Sequence, residues 1–233
     1  MTTVSILIPA RNEESTVGEV IASHLEVLKK CMALKYIDDY EVIVLDDGSS
    51  DNTLKNINLY QGSEKFSVLS NKTSSGLQNA FEKLYSSSAM SWVYLTPGDG
   101  QIPATNLEKF ITEAHISNWT CAILGNRNKI NQYGLLRLFI SFSFRMYSSF
   151  ILSRKIPDIG TVKLVPSILN HQNYKCKSVL QEIERVQYLD LYKFPIQIVD
   201  IEWIARKKGK SRGVSIVTIF SVLREIGLLK RNK

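Results

Sequence analysis

Apolar residues in this chain form short continuous runs that alternate with stretches of helical periodicity. Six runs are dominated by apolar and β-branched residues, at positions 4–8, 41–45, 66–69, 92–96, 121–125 and 196–203. Continuous hydrophobicity over such lengths is typical of strands buried on both faces of a parallel sheet. Between the first four runs, apolar side chains recur at helical spacing, as in the series Val17, Val20, Ile21, Leu25 and Leu28. Strands that alternate with helices predict an α/β fold with a mostly parallel sheet flanked by helices.

Two later apolar segments are interrupted by polar residues and predict amphipathic helices. Leu135–Leu152 is too broken by arginines for a membrane span, and its polar residues fall on one predicted stripe: Arg137, Ser141, Arg145 and Ser148. Residues 214–229 repeat this pattern, with polar positions at Ser215, Thr218, Ser221 and Glu225. We find no internal repeat and no low-complexity linker. We therefore predict one α/β domain over residues 1–213, followed by a basic amphipathic helix over residues 214–233 at a membrane surface.

The charge of the chain is concentrated at its C-terminal end. The net charge is +7, and residues 206–233 contain nine Lys or Arg side chains against a single acidic residue, Glu225. Such a cluster suits a phosphate-bearing ligand, a membrane surface or nucleic acid. The three cysteines are far apart with no CxxC pair, which argues against a disulfide framework or zinc site and favours a reducing cytosol. The N-terminus lacks the pattern of a signal peptide.

The second apolar run ends in the most distinctive polar cluster of the chain. Residues 40–53 read YEVIVLDDGSSDNT, so Asp46, Asp47 and Gly48 follow a predicted buried strand directly. Open α/β sheets bind their ligands at the carboxyl ends of their strands. The next residues, SSD, have side-chain oxygens that can cap a following helix. At this point a polar loop that only closes the strand is an equally good interpretation, because turns also favour Asp, Gly and Ser.

Three segments taken together resemble a known enzyme family. VSILIPARNEE, IVLDDGSSDNT and YLTPGDGQ resemble the nucleotide-binding half of family 2 glycosyltransferases, which are inverting enzymes with the Rossmann-like GT-A fold. The late segment RKKGKSRG resembles the Arg-x-x-Gly-x-Ser-Lys/Arg loop of polyprenyl-phosphate glycosyltransferases similar to dolichyl-phosphate mannose synthase. The resemblance covers residues 4–213, which we therefore interpret as the glycosyltransferase domain.

The resemblance implies a site for a nucleoside-diphosphate sugar. Its binding residues would be Pro9, Arg11, Glu13, Val44, Asp46, Gly98, Asp99, Gln101 and Arg127. In this assignment Asp46 accepts a hydrogen bond from the base, and Glu13 accepts from the ribose hydroxyls. Asp47 is expected to order the loop and the helix cap instead.

The segment PGDGQ occupies the place of the metal-binding Asp-x-Asp of the family. By resemblance, Asp99 and a carbonyl oxygen of Gln101 would hold Mg²⁺ or Mn²⁺. Pro97 stands where the first Asp is expected. One negative charge is therefore missing, and we expect weak metal binding.

Further residues are implied to act on the leaving group and the acceptor. Asp99, Asp158 and Arg127 would be catalytic, while Lys163, Arg206 and Arg212 would bind the acceptor or its phosphate. Asp158 and Lys163 lie in KIPDIGTVKLVP, which resembles Asp-x-x-x-Gly-Phe-Arg/Lys with a spacing one residue shorter and no aromatic residue. Two further carboxylates, Glu182 and Glu184, lie in a predicted helix and are expected on its surface.

These assignments predict an inverting glycosyltransferase that moves a sugar to a polyprenyl phosphate. Its expected location is cytoplasmic and peripheral, on the cytosolic face of a membrane, with an anionic membrane surface and a membrane protein as further partners. One alternative is transfer to a saccharide hydroxyl in surface-polysaccharide biosynthesis. Another is a non-catalytic membrane or nucleic-acid binding module, which would leave Asp46, Asp99 and Arg127 unexplained. No nucleic-acid partner is expected.

Overall fold

The computed structural model describes residues 1–62, 64–127, 135–156, 158–205 and 216–230. These residues form one sheet of the strands β1 (Thr3–Ala10), β2 (Asp39–Asp47), β3 (Phe66–Asn71), β4 (Trp92–Leu95), β5 (Ala122–Arg127), β6 (Lys163–Pro166) and β7 (Ile196–Ile201). The spatial order is β3-β2-β1-β4-β6-β5-β7. The short strand β6 is antiparallel to both of its neighbours, and the other strand pairs are parallel.

Helices cover both faces of this sheet. They are α1 (Val17–Ala33), α2 (Thr53–Asn58), α3 (Leu77–Ser87), α4 (Ala104–Ile116), α5 (Leu135–Leu152), α6 (Gln181–Leu191) and α7 (Ile216–Glu225). Successive side chains of the central strands point to opposite faces of the sheet. Ile6 and Val42 pack into the core that α1 and α4 cover, whereas Leu7 and Ile43 pack against α3. The central apolar runs, in β1 and β2, are therefore buried on both sides. The mostly parallel sheet flanked by helices confirms the α/β fold predicted from the sequence.

Two elements were missed in the sequence: helix α4 and strand β6. Strand β6 has only four residues, and its fully buried pattern arises because it pairs with β4 on one side and β5 on the other. A second core cluster lies beneath this half of the sheet and joins α5, α6 and the end of the chain through Leu152, Ile183 and Leu229.

Helices α5 and α7 are oriented differently from the prediction. Ser148, expected on the polar stripe, is buried, and among the side chains described from residue 140 onward in α5 the large exposed apolar ones are Phe142, Met146 and Phe150. In α7, Glu225 faces the domain and accepts hydrogen bonds from the backbone N–H groups of Lys177 and Ser178, each at 3.0 Å. Each helix thus presents apolar side chains outward.

The C-terminal helix is docked on the remainder of the chain. The Tyr147 hydroxyl donates to the Ile226 carbonyl at 2.5 Å, and the Gln187 amide donates to the Lys230 carbonyl at 2.7 Å. The boundary predicted between residues 213 and 214 lies outside the described residues. Among the helices that the structure describes, none combines the length and hydrophobicity needed to cross a bilayer.

Candidate active site

The candidate site residues gather along one edge of the sheet. The parallel register places Ala10, the last residue of β1, beside Asp46 near the end of β2. Strand β4 ends opposite β1 at Leu95, and the segment that carries Asp99 follows. Because β6 runs the other way, its first residue, Lys163, lies at this same edge beside β5. The carboxyl ends of β1, β2, β4 and β5 and the amino end of β6 therefore form one surface.

The loops after β1 and β2 are joined by reciprocal hydrogen bonds. The Asn12 N–H donates to the Ser49 hydroxyl at 2.9 Å, and the Ser50 N–H donates back to the Asn12 side chain at 2.9 Å. The Glu13 N–H donates to the Thr53 hydroxyl at 2.8 Å. Asn12 has a φ of 55°, a conformation that Asn adopts more readily than most residues. This network sets the backbone between exposed Arg11 and half-buried Glu13.

The segment after β4 lies directly against the end of β1. The Gly98 N–H donates to the Pro9 carbonyl at 3.1 Å, and the Thr16 hydroxyl donates to the Gly98 carbonyl at 2.9 Å. A Cβ atom at residue 98 would come within 3.2 Å of the Ala10 Cβ. The lack of a side chain at Gly98 thus allows the close approach that places Pro9, Gly98 and Asp99 together.

The two residues of β2 that were assigned to nucleotide binding, Asp46 and Val44, are both buried. Asp46 is 2% exposed, and its carboxylate accepts hydrogen bonds from the Ser49 hydroxyl and, at 3.3 Å, from the Ser49 N–H. Its contact with a base stays a prediction. Val44 is completely buried in the core, and its assignment to nucleotide binding also stays a prediction.

Asp47 orders the loop that precedes α3. Its carboxylate accepts from the Asn71 amide at 2.8 Å, the Ser74 hydroxyl at 2.7 Å, and both the N–H and the hydroxyl of Ser75 at 2.8 Å. Burial alone would raise the pKa of Asp47, but these hydrogen bonds outweigh it and lower the pKa to about 2. Asp47 thus orders a loop, but this loop is the one before α3, and the predicted contact with the cap of the helix that follows β2 is wrong. At the start of helix α2 it is the Asp51 carboxylate that accepts from a backbone group, the Thr53 N–H, at 2.9 Å.

We expect Asp47→Asn to remove stability that depends on pH. A folded-state pKa of about 2 lies below the usual value near 3.9, so the charged carboxylate stabilises the fold above pH ~4 and loses this effect as the pH falls towards ~2. The difference in free energy of unfolding should be on the order of 2 kcal/mol at pH 7 and should shrink steadily below pH 4. Urea unfolding at pH 7, 4 and 3 measures it. Asp38→Asn, at an exposed position, is the control, and a difference independent of pH would contradict the assignment.

The Asp99 segment is tied to the chain that follows β7. The Asp99 carboxylate accepts from the Gln101 N–H at 3.0 Å. The Gln101 carbonyl accepts from the Ile204 N–H at 2.9 Å, and the Gln101 side-chain amide donates to the Ile204 carbonyl at 3.3 Å. Ile204 lies just before the predicted phosphate-binding residues Arg206 and Arg212, which are outside the described residues.

The protein groups around Asp99 could hold a divalent cation only if a substrate supplies further oxygen ligands. Within the described ranges, no three His, Cys, Asp or Glu side chains are grouped so that they could hold a metal ion. Asp99 offers a half-buried carboxylate at the edge of the sheet. Hard divalent cations commonly complete such a site with phosphate oxygens.

Arg127 and Asp158 are 31 residues apart and form a two-pronged ion pair. Arg127 Nε donates to one carboxylate oxygen of Asp158 at 2.5 Å, and Nη2 donates to the other at 2.9 Å. Their side chains are 27% and 12% exposed. This fork geometry fixes the guanidinium plane. The structure therefore brings together two residues that the sequence assigned to catalysis separately.

Lys163 was predicted to bind the acceptor or its phosphate, but its charge faces the interior. Its side chain is 8% exposed, and its ammonium donates to Glu182 at 2.6 Å and to the Thr161 carbonyl at 3.0 Å. The expected surface positions of Glu182 and Glu184 are wrong, because Glu182 is only 15% exposed and Glu184 is buried. Buried Arg185, which the sequence analysis did not single out, also faces Glu182 at 3.6 Å.

This strand order, together with ligand-facing loops at one edge, defines an α/β enzyme of the GT-A type. Residues 5–162 match the family described as glycosyl transferase family 2. The chain therefore belongs to glycosyltransferase family 2, and it is a glycosyltransferase. No curated protein matches the chain in sequence.

Solved structures share this fold at low sequence identity. Glucosyl-3-phosphoglycerate synthase from Mycobacterium tuberculosis, in complex with Mn²⁺, UDP and glucosyl-3-phosphoglycerate, is 16% identical with a TM-score of 0.68, over 97% of this chain and 80% of that chain. Residues 1–349 of S. aureus TarS are 17% identical with a TM-score of 0.57, over 98% of this chain and 65% of that chain. At such identities the likeness concerns the fold.

Proposed function

We propose that this glycosyltransferase transfers its sugar, with inversion, to a polyprenyl phosphate of the dolichyl type. The late segment RKKGKSRG supports this subtype by its resemblance to the polyprenyl-phosphate branch of the family. The observation that carries the proposal is the outward apolar face of α5 and α7. An enzyme that meets its acceptor in a membrane needs such a surface, whereas a water-soluble acceptor does not require one.

On the donor side, the proposed roles follow from charge and position. Asp99 and a carbonyl oxygen of Gln101 would hold Mg²⁺ or Mn²⁺, which when bound neutralises charge on the departing diphosphate. M. tuberculosis glucosyl-3-phosphoglycerate synthase, which shares the fold, was solved with UDP and either of these ions. Arg127, oriented by Asp158, would attract diphosphate oxygens through its guanidinium charge. Positioning and electrostatic stabilisation would supply most of the rate.

On the acceptor side, a lipid phosphate removes the need for a strong general base. A hydroxyl acceptor must lose a proton during attack, but a phosphate monoester is already anionic near neutral pH. Asp158, the best candidate base, is engaged by Arg127 in the structure. The proposed ligands of the acceptor phosphate are Arg206 and Arg212, and Lys163 takes a supporting role instead.

The identity of the acceptor is tested by measuring whether the labelled sugar appears in a lipid or in a water-soluble product. The protein is incubated with labelled UDP- and GDP-sugars, Mn²⁺ and either polyprenyl phosphate or a set of oligosaccharides, and the products are extracted into organic solvent. We expect the label to enter the organic phase only with polyprenyl phosphate. Label that stays aqueous on a saccharide would establish the hydroxyl-acceptor function instead.

We further propose a peripheral location on the cytosolic face of a membrane, with the apolar outer residues of α5 and α7 in the interface. Phe142 and Phe220 are 63% and 67% exposed, and Met146, Phe150 and Leu223 are similarly exposed. Large apolar side chains that are exposed together mark a membrane or protein contact. The nine basic residues at positions 206–233 favour an anionic bilayer, at about 1 kcal/mol per residue near the surface.

We expect the double variant Phe220→Ser/Leu223→Ser to bind anionic liposomes at least tenfold more weakly than the unmodified chain. Each side chain should lose roughly 1.5–3 kcal/mol of apolar burial. Flotation with liposomes that contain phosphatidylserine measures the bound fraction, which should also fall at high salt. The control is Leu59→Ser/Leu191→Ser, which removes two leucines that are 77% and 68% exposed elsewhere. Equal losses in both double variants would argue for nonspecific adhesion, and no flotation of the unmodified chain would favour a membrane protein as the partner.

A further inference from the structure

A buried ionic cluster joins β6, α3 and α6 next to the loop that carries Asp158. The Glu182 carboxylate lies between two cations, with Lys163 Nζ at 2.6 Å and Arg185 Nε at 3.6 Å. The Arg185 guanidinium also lies over the Tyr85 ring at 3.8 Å and the Tyr174 ring at 4.6 Å. Burial opposes ionisation of Glu182, but Lys163 and Arg185 outweigh it and keep the pKa of this carboxyl below its usual range. The carboxylate is therefore charged and committed to both partners.

Lys163 connects this cluster to the proposed site. Besides its bond to Glu182, its ammonium donates to the Thr161 carbonyl at 3.0 Å. Thr161 lies in the loop 158–162, between Asp158 and β6. The same loop is held on its other side, where the Gly125 N–H donates to the Val162 carbonyl at 3.0 Å. A Cβ atom at residue 125 would lie 3.1 Å from the Thr161 methyl group, so this packing is close.

We infer that Glu182 is a positioning residue of the transfer reaction, acting through Lys163 on the loop 158–162. The loop fixes Asp158, and Asp158 in turn orients the Arg127 guanidinium at the edge of the sheet. A buried ammonium needs its carboxylate, because an uncompensated charge either seeks water or loses its proton. Removing Glu182 therefore withdraws the lysine from Thr161 and loosens the loop. The inference rests on the proposed assignment of Arg127 and Asp158 to the reacting end of the site.

Glu184 provides a matched comparison on the same helix. It is also buried, and its carboxylate accepts from the backbone N–H groups of Lys175 at 3.0 Å and Cys176 at 3.1 Å. These partners lie outside the loop 158–162. Loss of either carboxylate charge should destabilise the fold, but only Glu182→Gln should alter the loop.

The first test needs no substrate. Hydrogen–deuterium exchange is followed in a peptide covering residues 158–166 in the full chain and in the variants Glu182→Gln, Lys163→Met and Glu184→Gln. We expect exchange in this peptide to become at least fivefold faster in the first two variants and to stay unchanged in Glu184→Gln. Lys163→Met leaves Glu182 paired with Arg185 and keeps the test available if Glu182→Gln does not fold. Unchanged exchange in both Glu182→Gln and Lys163→Met would overturn the inference.

The second test separates positioning from stability and does not depend on the acceptor. Hydrolysis of the preferred sugar nucleotide is measured without any acceptor, at a temperature where all variants are folded. Glu182→Gln and Lys163→Met should lower kcat at least tenfold with less than threefold change in the KM of the donor, and Glu184→Gln should keep the kcat of the unmodified chain. Equal kcat values for Glu182→Gln and Glu184→Gln would refute the positioning role. A failed lipid-acceptor assay alone would refute the proposed acceptor and leave these two results unaffected.

Discussion

Asp99→Asn is expected to lower sugar transfer at least a hundredfold while the protein stays folded. Asp99 provides the carboxylate at the end of β4 that would hold the divalent cation beside the leaving diphosphate. Asn has nearly the same shape, and its carbonyl oxygen can still accept from the Gln101 N–H, which lies 3.0 Å from the Asp99 carboxylate. The substitution therefore removes charge and leaves the loop in place. Loss of one group that stabilises charge in a transition state commonly costs about 3 kcal/mol.

Three measurements check this result together. Steady-state transfer gives kcat, thermal unfolding reports the fold, and calorimetry follows Mn²⁺ binding with and without UDP or GDP. We expect weak Mn²⁺ binding to the unliganded chain and clear binding with nucleotide, and Asp99→Asn should abolish the second. Glu108→Gln serves as the control and should change little, because the Glu108 carboxylate on α4 is paired at the surface with Lys30 of α1. Near-normal turnover of a folded Asp99→Asn protein would contradict the assignment.

Gly48→Ala is expected to destabilise the fold more than any other single methyl group added at a glycine near the site. Gly48 has a φ of +68°, and a Cβ atom there would lie 2.7 Å from the Ser74 nitrogen and 2.7 Å from the Thr73 carbonyl carbon. The left-handed conformation alone costs a side chain about 1–2 kcal/mol. The clashing atoms belong to backbone, so the loop that Asp47 orders must move as well. We expect a total loss of about 3 kcal/mol.

Two other glycines separate the conformational and steric contributions. Gly100 has a φ of +71°, close to that of Gly48, and the nearest atoms to its virtual Cβ lie at 3.7 Å, so Gly100→Ala should show the conformational cost alone. Gly227 has an open position without a positive φ, and Gly227→Ala should be nearly neutral. For a chain of this size, 3 kcal/mol corresponds to a fall in Tm of roughly 6–12 °C. Equal Tm shifts for Gly48→Ala and Gly100→Ala would show that the close backbone approach is not important.

Much of the donor side could be predicted because it depends on local patterns. A parallel strand buried on both faces must be apolar throughout, so the run before Asp46 identified β2 and its carboxyl end. Parallel strands bring their carboxyl ends to one edge, so Pro9, Asp46 and Asp99 were expected together. The local pattern indicated that Asp47 orders a loop. Its actual partners, Asn71, Ser74 and Ser75, lie 24 to 28 residues further along the chain and are brought to it by the pairing of β2 with β3.

The acceptor side could not be predicted, because its contacts join residues far apart in sequence. No local signal shows that Lys163 starts an antiparallel strand, since β6 exists only through its pairing with β4 and β5. Its burial with Glu182 follows from that placement. A lysine and a glutamate in a polar sequence are expected at the surface, and only a partner of opposite charge makes their burial tolerable.

By itself the sequence determined the α/β class, the strand ends that carry the candidate site and the presence of two late helices with unlike sides. The tertiary structure alone decided which of those faces meets the domain. Hydrophobic periodicity shows that a helix has unlike sides, but the side that packs inward depends on its partners. In α7 the inward side includes Glu225, because its carboxylate satisfies backbone N–H groups at Lys177 and Ser178. The apolar residues Phe220 and Leu223 consequently face outward.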